Sequence, residues 1–123
     1  MRDFKKIKAY QLADGLVLAV YEATKGFPKE ELYGLTSQIR RAVVSTAANI
    51  VEGASRQHKK DYLHFLYIAR GSAAEVDYLL SVACRLSYLK LEIYEKLDAT
   101  VKEVSRTLFG LIQSIGKELA LKL

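Results

Sequence analysis

Apolar residues recur at steps of three and four along most of the chain, and this spacing limits the possible folds more than any other feature. Because an α-helix turns once every 3.6 residues, side chains at these steps share one helical face. Four stretches show the pattern, with predicted inner faces at Leu12, Leu16, Ala19, Val20 and Ala23; Leu35, Ile39, Val43, Ala47 and Ile50; Tyr62, Phe65, Leu66, Ala69, Ala73, Val76, Leu80, Ala83 and Ser87; and Leu97, Val101, Val104, Leu108, Leu111, Ile112, Ile115 and Leu119. Sustained strand-like alternation is absent. The spacing therefore predicts an all-α fold.

Helix-breaking and helix-capping residues set the predicted boundaries of the first two helices. The first is expected over Lys8–Lys25, because Gly26 and Pro28 follow it. The second is expected to begin at Thr36 and Ser37, whose hydroxyls are suited to cap free backbone N–H groups.

The remaining boundaries lie near single glycines and charged turns. The second helix is expected to stop around 53–55, the third to run from about 55–59 to Leu89, and the fourth to follow a turn at 90–92. Four amphipathic helices joined by short turns predict an antiparallel up-down-up-down four-helix bundle. We expect one domain over residues 1–123.

The composition argues against export and membrane insertion. Charges begin at the second residue, and the N-terminal stretch lacks the apolar segment of a secretory signal. The longest apolar runs are far shorter than the roughly 20 residues that span a bilayer. The single Cys84 cannot form an intrachain disulfide, which fits a reducing compartment. We expect a cytoplasmic protein without a membrane partner.

The sequence contains no pattern typical of catalysis or cofactor binding. His58 and His64 both lack the preceding Glu of the Glu-x-x-His pairs in di-iron bundles. Cys84 lies on an apolar helical face without a nearby His, so it is expected in the core. The glycines stand singly and form no phosphate-binding loop. We expect no catalytic residue, metal or cofactor.

A polar stripe follows the second helix at steps of 3, 4, 4 and 3, formed by Gln38, Arg41, Ser45, Asn49 and Glu52. In the third helix, residues 69–75 likewise combine small side chains with an Arg and a Glu. Gly71 is costly inside a helix, by roughly 1 kcal/mol relative to Ala, and close approach of the second and third helices would explain it. Ser45, Asn49 and Ser72 could then hydrogen-bond between them. An ordinary solvated face is the alternative.

Basic residues cluster in two parts of the sequence. The 19 Lys and Arg exceed the 14 Asp and Glu, which gives a net charge of +5. One group, with Arg2, lies at the start of the chain, and the other, with His58, lies near the second interhelical turn. The members that we select as candidate nucleic-acid ligands are Lys5, Lys6 and Lys8, and Arg56, Lys59 and Lys60. Eight tyrosines in a chain without Trp also favour protein interfaces.

Two ordered segments resemble a known family. FPKEELYGLTSQIRRAVVSTAANIVEG covers Phe27–Gly53, and FLYIARGSAAE covers Phe65–Glu75. Together they resemble the 23S rRNA intervening-sequence protein family, which usually has Ile where this chain has Thr46. The chain is also similar to the accessory protein of diversity-generating retroelements, a basic pentamer that binds a reverse transcriptase and nucleic acid.

The resemblance implies a homopentamer of four-helix bundles without an established molecular activity. We hold two hypotheses: a basic nucleic-acid-binding module for RNA or DNA, or a protein-interaction scaffold such as an accessory to a reverse transcriptase. We also predict a hydrogen-bonded and ion-paired network between the second and third helices, within or between subunits. Its members would be Gln38, Arg41, Asn49, Glu52, Arg70 and Glu75.

Overall fold

The computed structural model describes residues 2–121, which form four helices and two short 3-10 turns. The helices are α1 (Lys8–Thr24), α2 (Leu35–Ala54), α3 (Lys59–Arg85) and α4 (Leu91–Leu121), and the 3-10 turns are Phe4–Lys6 and Lys29–Glu31. Each helix packs against its sequence neighbour, and α4 packs back against α1. No strand occurs within residues 2–121. The predicted all-α antiparallel up-down-up-down bundle is confirmed.

The predicted apolar faces build the core. All five predicted positions of α2 are buried. On α4, the buried residues lie at helical spacing from Leu97 to Ile115. Two predictions were wrong, since Ala19 and Ser87 are exposed. Thr46 is buried, and its hydroxyl donates to the Ala42 carbonyl at 2.9 Å. The polar residue at this packed position is therefore satisfied within its own helix.

The start of α2 uses a carboxylate rather than the predicted hydroxyl caps. Gly34 occupies the N-cap position, and the Leu35 amide donates to Glu31 Oε1 at 3.2 Å. Thr36 and Ser37 lie inside the helix, so the capping prediction was wrong. The Thr36 hydroxyl is buried without a hydrogen-bond partner among residues 2–121.

The end of α3 comes four residues earlier than predicted. The α3 helix ends at Arg85, and Ser87 adopts a left-handed backbone with φ 66°. The Tyr88 amide then donates to the Ala83 carbonyl, and the Ser87 amide donates to the Cys84 carbonyl, each at 2.9 Å. These paired bonds define a Schellman motif, which satisfies terminal carbonyls and turns the chain toward α4.

The close approach of α2 and α3 occurs at a different glycine from the predicted one. A Cβ atom built on Gly53 would lie 2.9 Å from Phe65 Cβ and 3.2 Å from the Tyr62 carbonyl oxygen. At Gly71 the same construction meets no atom within 4 Å. Gly53 is therefore the glycine that lets the end of α2 pack on the start of α3, and the explanation offered for Gly71 does not hold within the chain.

Candidate nucleic-acid interface

One end of the bundle gathers basic residues that are far apart in sequence. The 3-10 turn Phe4–Lys6, the start of α1, the α2–α3 turn and the end of α4 meet there. Arg2 Nη1 donates to the Arg56 carbonyl at 2.7 Å, and Lys59 Nζ pairs with Glu118 Oε2 at 2.9 Å. These contacts place both predicted basic groups on one surface, which we call the basic end.

Local hydrogen bonds hold the N-terminal part of the basic end. Asp3 Oδ1 accepts from the Lys5 amide at 3.1 Å and so caps the 3-10 turn. Gln11 Nε2 donates to the Lys5 carbonyl at 2.9 Å and ties the turn to α1. The side chains of Lys5, Lys6 and Lys8 are exposed, and none forms an ion pair within residues 2–121. Their positive charge is available to an external anion.

The α2–α3 turn is more heavily paired than the sequence suggested. Arg56 Nη2 contacts Glu52 Oε1 at 2.6 Å, and its guanidinium lies 4.7 Å from the centre of the Phe65 ring. Lys59 is paired with a carboxylate as well. Lys60 is exposed without an ion pair among the described residues. The candidates of this turn therefore differ, and Lys60 is the most available to a ligand.

The selection of site residues missed Arg2 and Gln57. Both border a cavity of about 570 Å³ together with Ser55 and Arg56. The position of Arg2 near the N-terminal lysines was a usable signal, but its contact with the distant turn is not encoded by sequence spacing. Gln57 carried no signal beyond its place in the turn.

Only part of the polar stripe connects α2 with α3 inside the chain. The hydroxyls of Ser45 and Ser72 lie 2.9 Å apart, and Asn49 Nδ2 donates to the Ser45 carbonyl at 2.8 Å. This confirms the predicted hydrogen bond between the two helices at Ser45 and Ser72. It is a local contact of half-buried groups rather than an extended network.

The other members of the predicted network are not joined to one another by side-chain hydrogen bonds or ion pairs within residues 2–121. Gln38, Arg41 and Glu75 are exposed, and no side-chain hydrogen bond or ion pair joins them to any residue from 2 to 121. Glu52 pairs with Arg56 instead. Arg70 lies 4.8 Å from the centre of the Phe109 ring on α4, away from α2. A network between subunits remains a prediction.

A protein-family model for the 23S rRNA-intervening sequence protein matches residues 5–110. The chain belongs to this family. The match spans all of α1 to α3, most of α4 and both basic groups except Arg2, which precedes it.

A crystal structure at 1.70 Å resolution has the same fold. It is that of a protein of unknown function from the S23 ribosomal protein family of Bacteroides thetaiotaomicron. The TM-score is 0.79 at 24% sequence identity, over 85% of this chain and 95% of that one. No curated protein gives a significant match.

This member of the intervening-sequence family has an apolar groove at the opposite end from the basic surface. The groove encloses about 600 Å³ and lies between α1, α2 and the segment that joins them. Its walls include Leu32, Val44 and Tyr33, of which Tyr33 is 94% exposed. Arg40 and Arg41 also line it, and Arg41 has no ion-pair partner among the described residues. The groove is a candidate protein contact surface.

A carboxyl pair, Asp77 and Asp98, joins α3 to α4. A hydrogen bond to Asp98, with burial as the second cause, raises the pKa of Asp77. The same hydrogen bond lowers the pKa of Asp98, and Lys102 Nζ supports the lowered pKa from 2.7 Å away. The pair can share one proton, with Asp77 as the donor. Loss of that proton leaves two adjacent negative charges.

Within residues 2–121, no group of three or more His, Cys, Asp or Glu side chains is arranged to hold a metal ion. Across the same residues, every helix is too short or too polar to cross a membrane. His58 and His64 are both exposed near the start of α3.

Proposed function

We propose that this protein is a non-enzymatic, cytoplasmic homopentamer that binds nucleic acid through its basic ends. The observation that supports the proposal is the convergence of two sequence-distant basic groups on one end of the bundle, joined by the bond from Arg2 to the Arg56 carbonyl. Such a surface attracts polyanions, because phosphate contacts release counterions from a nucleic acid. Family membership is compatible with this function but does not specify it.

Oligomerisation would multiply a modest charge. Each chain carries +5, so a pentamer would carry about +25 and would present five copies of the basic end. A nucleic acid bound at one copy reaches the next at high effective concentration, which raises the overall affinity without new contacts. The strongest contributions are expected from the exposed lysines Lys5, Lys6, Lys8 and Lys60, because Arg56 and Lys59 are already paired with carboxylates.

A filter-binding titration tests the proposal. The full chain would be titrated against labelled RNA and duplex DNA at low and at moderate salt. The triple variant Lys5→Gln, Lys6→Gln, Lys60→Gln is expected to bind more weakly and to lower the salt dependence, by about 0.9 in slope for each duplex phosphate that the variant no longer neutralises. Failure of the parent chain to bind either probe at low salt would remove the proposal.

A matched control keeps the number of charges equal. Lys29, Lys90 and Lys96 are exposed at the opposite end, and none forms an ion pair within residues 2–121. Their triple replacement by Gln removes the same charge as the test variant. Equal weakening by the two triple variants would show that only net charge matters and that the basic end is not the binding surface.

A second candidate is an oligomeric protein-interaction scaffold, for example an accessory to a reverse transcriptase. The apolar groove favours it, because aromatic and aliphatic side chains beside arginines are typical of protein contact surfaces. Val44→Asp would introduce a charge into this groove. Loss of oligomers in sedimentation, with no nucleic-acid binding by the parent chain, would support the scaffold instead of the binding module.

A further inference from the structure

Arg2 connects the two basic groups through contacts that depend on its guanidinium geometry. Its Nη1 donates to the Arg56 carbonyl at 2.7 Å, and its guanidinium carbon lies 4.2 Å from the centre of the Tyr62 ring. A guanidinium is planar and can stack on a ring while it donates in its own plane, which a lysine ammonium cannot do. Arg2 therefore links the N-terminal segment to the α2–α3 turn.

The same side chain borders two neighbouring cavities. One, of about 570 Å³, also contacts Ser55, Arg56 and Gln57, and the other, of about 340 Å³, contacts Gln57, Lys60 and neighbouring residues of the turn. Because a guanidinium has five N–H donors and one bond here uses Nη1, Arg2 keeps donors for an anion. Arg2 and Gln57 thus belong to both cavities, which form one basic depression.

The Tyr and Phe rings beside this depression are already covered, and the small imidazole of His58 is the exposed ring that lines its second cavity. Tyr62 is 3% exposed and lies against Arg2, and the half-buried Phe65 ring is contacted by Arg56 and by the edge of His64. Recognition of unpaired bases requires open aromatic faces on which bases stack. The covered rings favour contacts with phosphates over contacts with bases.

We propose that the depression around Arg2 binds the phosphodiester backbone of a nucleic acid and that Arg2 is the positioning residue that joins the two basic groups into one surface. This inference rests on the proposed function and goes further by naming the chemical group that is bound. Gln57 and Lys60 supply donors beside Arg2, while Lys5 and Lys6 extend the surface along the backbone. Binding is consequently independent of base sequence.

The experiment compares charge with geometry at Arg2. Fluorescence anisotropy would measure binding of short duplexes of two unrelated sequences by the parent, Arg2→Lys and Arg2→Gln chains over a series of salt concentrations. We expect both variants to weaken binding, by about tenfold, as is typical when charge-assisted hydrogen bonds are removed. Arg2→Lys keeps the charge, so its weaker binding isolates the geometry.

Arg40 provides a matched control at the opposite end. It also stacks on a tyrosine, with 4.7 Å to the Tyr21 ring centre, and its Nε donates to the Thr24 hydroxyl at 2.9 Å. Arg40→Lys removes the same kind of contacts outside the depression, and parent-like affinity is expected. Amide hydrogen exchange would show whether residues 4–6 and 55–58 loosen in Arg2→Lys while α3 stays protected.

Each outcome either supports or overturns the inference about Arg2. Weakened binding and faster exchange in Arg2→Lys, with parent-like Arg40→Lys, support the inference. Parent-like affinity of Arg2→Lys would show that Arg2 contributes only charge and would overturn it, as would a strong preference between the two sequences. Absence of binding by the parent chain would instead overturn the proposed function, and the inference with it.

Discussion

Replacement of Gly53 by Ala tests the packing that fixes the angle between α2 and α3. The added Cβ would lie 2.9 Å from Phe65 Cβ, 3.0 Å from Tyr62 Cδ1 and 3.2 Å from the Tyr62 carbonyl oxygen. None of these atoms is the end of a flexible side chain, so relief requires movement of α3 itself. Overpacking of this kind costs about 1–3 kcal/mol of folding stability.

The helix propensity of alanine opposes part of this cost. Ala is favoured over Gly by about 1 kcal/mol in a helix interior. At Gly53, one residue before the end of α2, the gain is at most this large. Gly15 and Gly110 are exposed in α1 and α4, and an added Cβ at either meets no atom within 4 Å. Gly15→Ala and Gly110→Ala therefore carry the propensity gain alone, and their difference from Gly53→Ala gives an upper limit for the steric cost.

Thermal melting followed by circular dichroism measures the difference. An entropy of unfolding of about 2.1 cal/mol/K per residue makes 1 kcal/mol correspond to about 4 °C for a chain of this length. The two controls are expected to melt above the parent, and Gly53→Ala is expected to melt about 4–12 °C below them. Equal protein concentrations are required, because oligomer stability depends on concentration. Equal melting temperatures for the three variants would refute the close approach at Gly53.

Three further predictions address polar contacts. Glu31→Ala removes both the cap on the Leu35 amide and the acceptor of a tyrosine hydroxyl bond, and denaturant unfolding is expected to show a decrease in stability of about 1–3 kcal/mol; an unchanged midpoint would contradict this role. The raised pKa of Asp77 means that its shared proton stabilises the fold at low pH and that this stabilisation is lost as pH rises through the folded-state pKa. Asp77→Asn keeps a hydrogen-bond donor without the charge, so it should raise the melting temperature at neutral pH, by less than about 4 °C for this partly exposed pair. An equal difference in melting temperature between variant and parent at neutral and at acidic pH would oppose the assignment of the raised pKa to Asp77. If Arg41 and Glu75 pair between subunits, Arg41→Glu should dissociate the oligomer in sedimentation and the double variant Arg41→Glu, Glu75→Arg should restore it; dissociation of both, or of neither, would show that the two residues do not pair.

The sequence alone predicted the secondary structure well because each helix carries its own periodic signal. The apolar face of α2 was predicted position by position, and the start of α1 at Lys8 was correct. Predictions from the sequence failed at helix ends, where several nearby residues can supply the cap. The cap of α2 comes from Glu31 instead of Thr36. The α3 helix ends at Arg85, just before the left-handed Ser87, although a residue other than glycine rarely adopts this conformation.

The candidate site shows the same division. The sequence determined which residues are basic, that they form two groups, and that four amphipathic helices must bury their apolar faces together. Only the tertiary structure decided that both groups share one end, that Glu118 on α4 neutralises Lys59, and that Arg2 bridges the groups. The physical reason is range: helical periodicity is set by neighbours a few residues apart, whereas ion pairs and ring stacking depend on how separate helices pack.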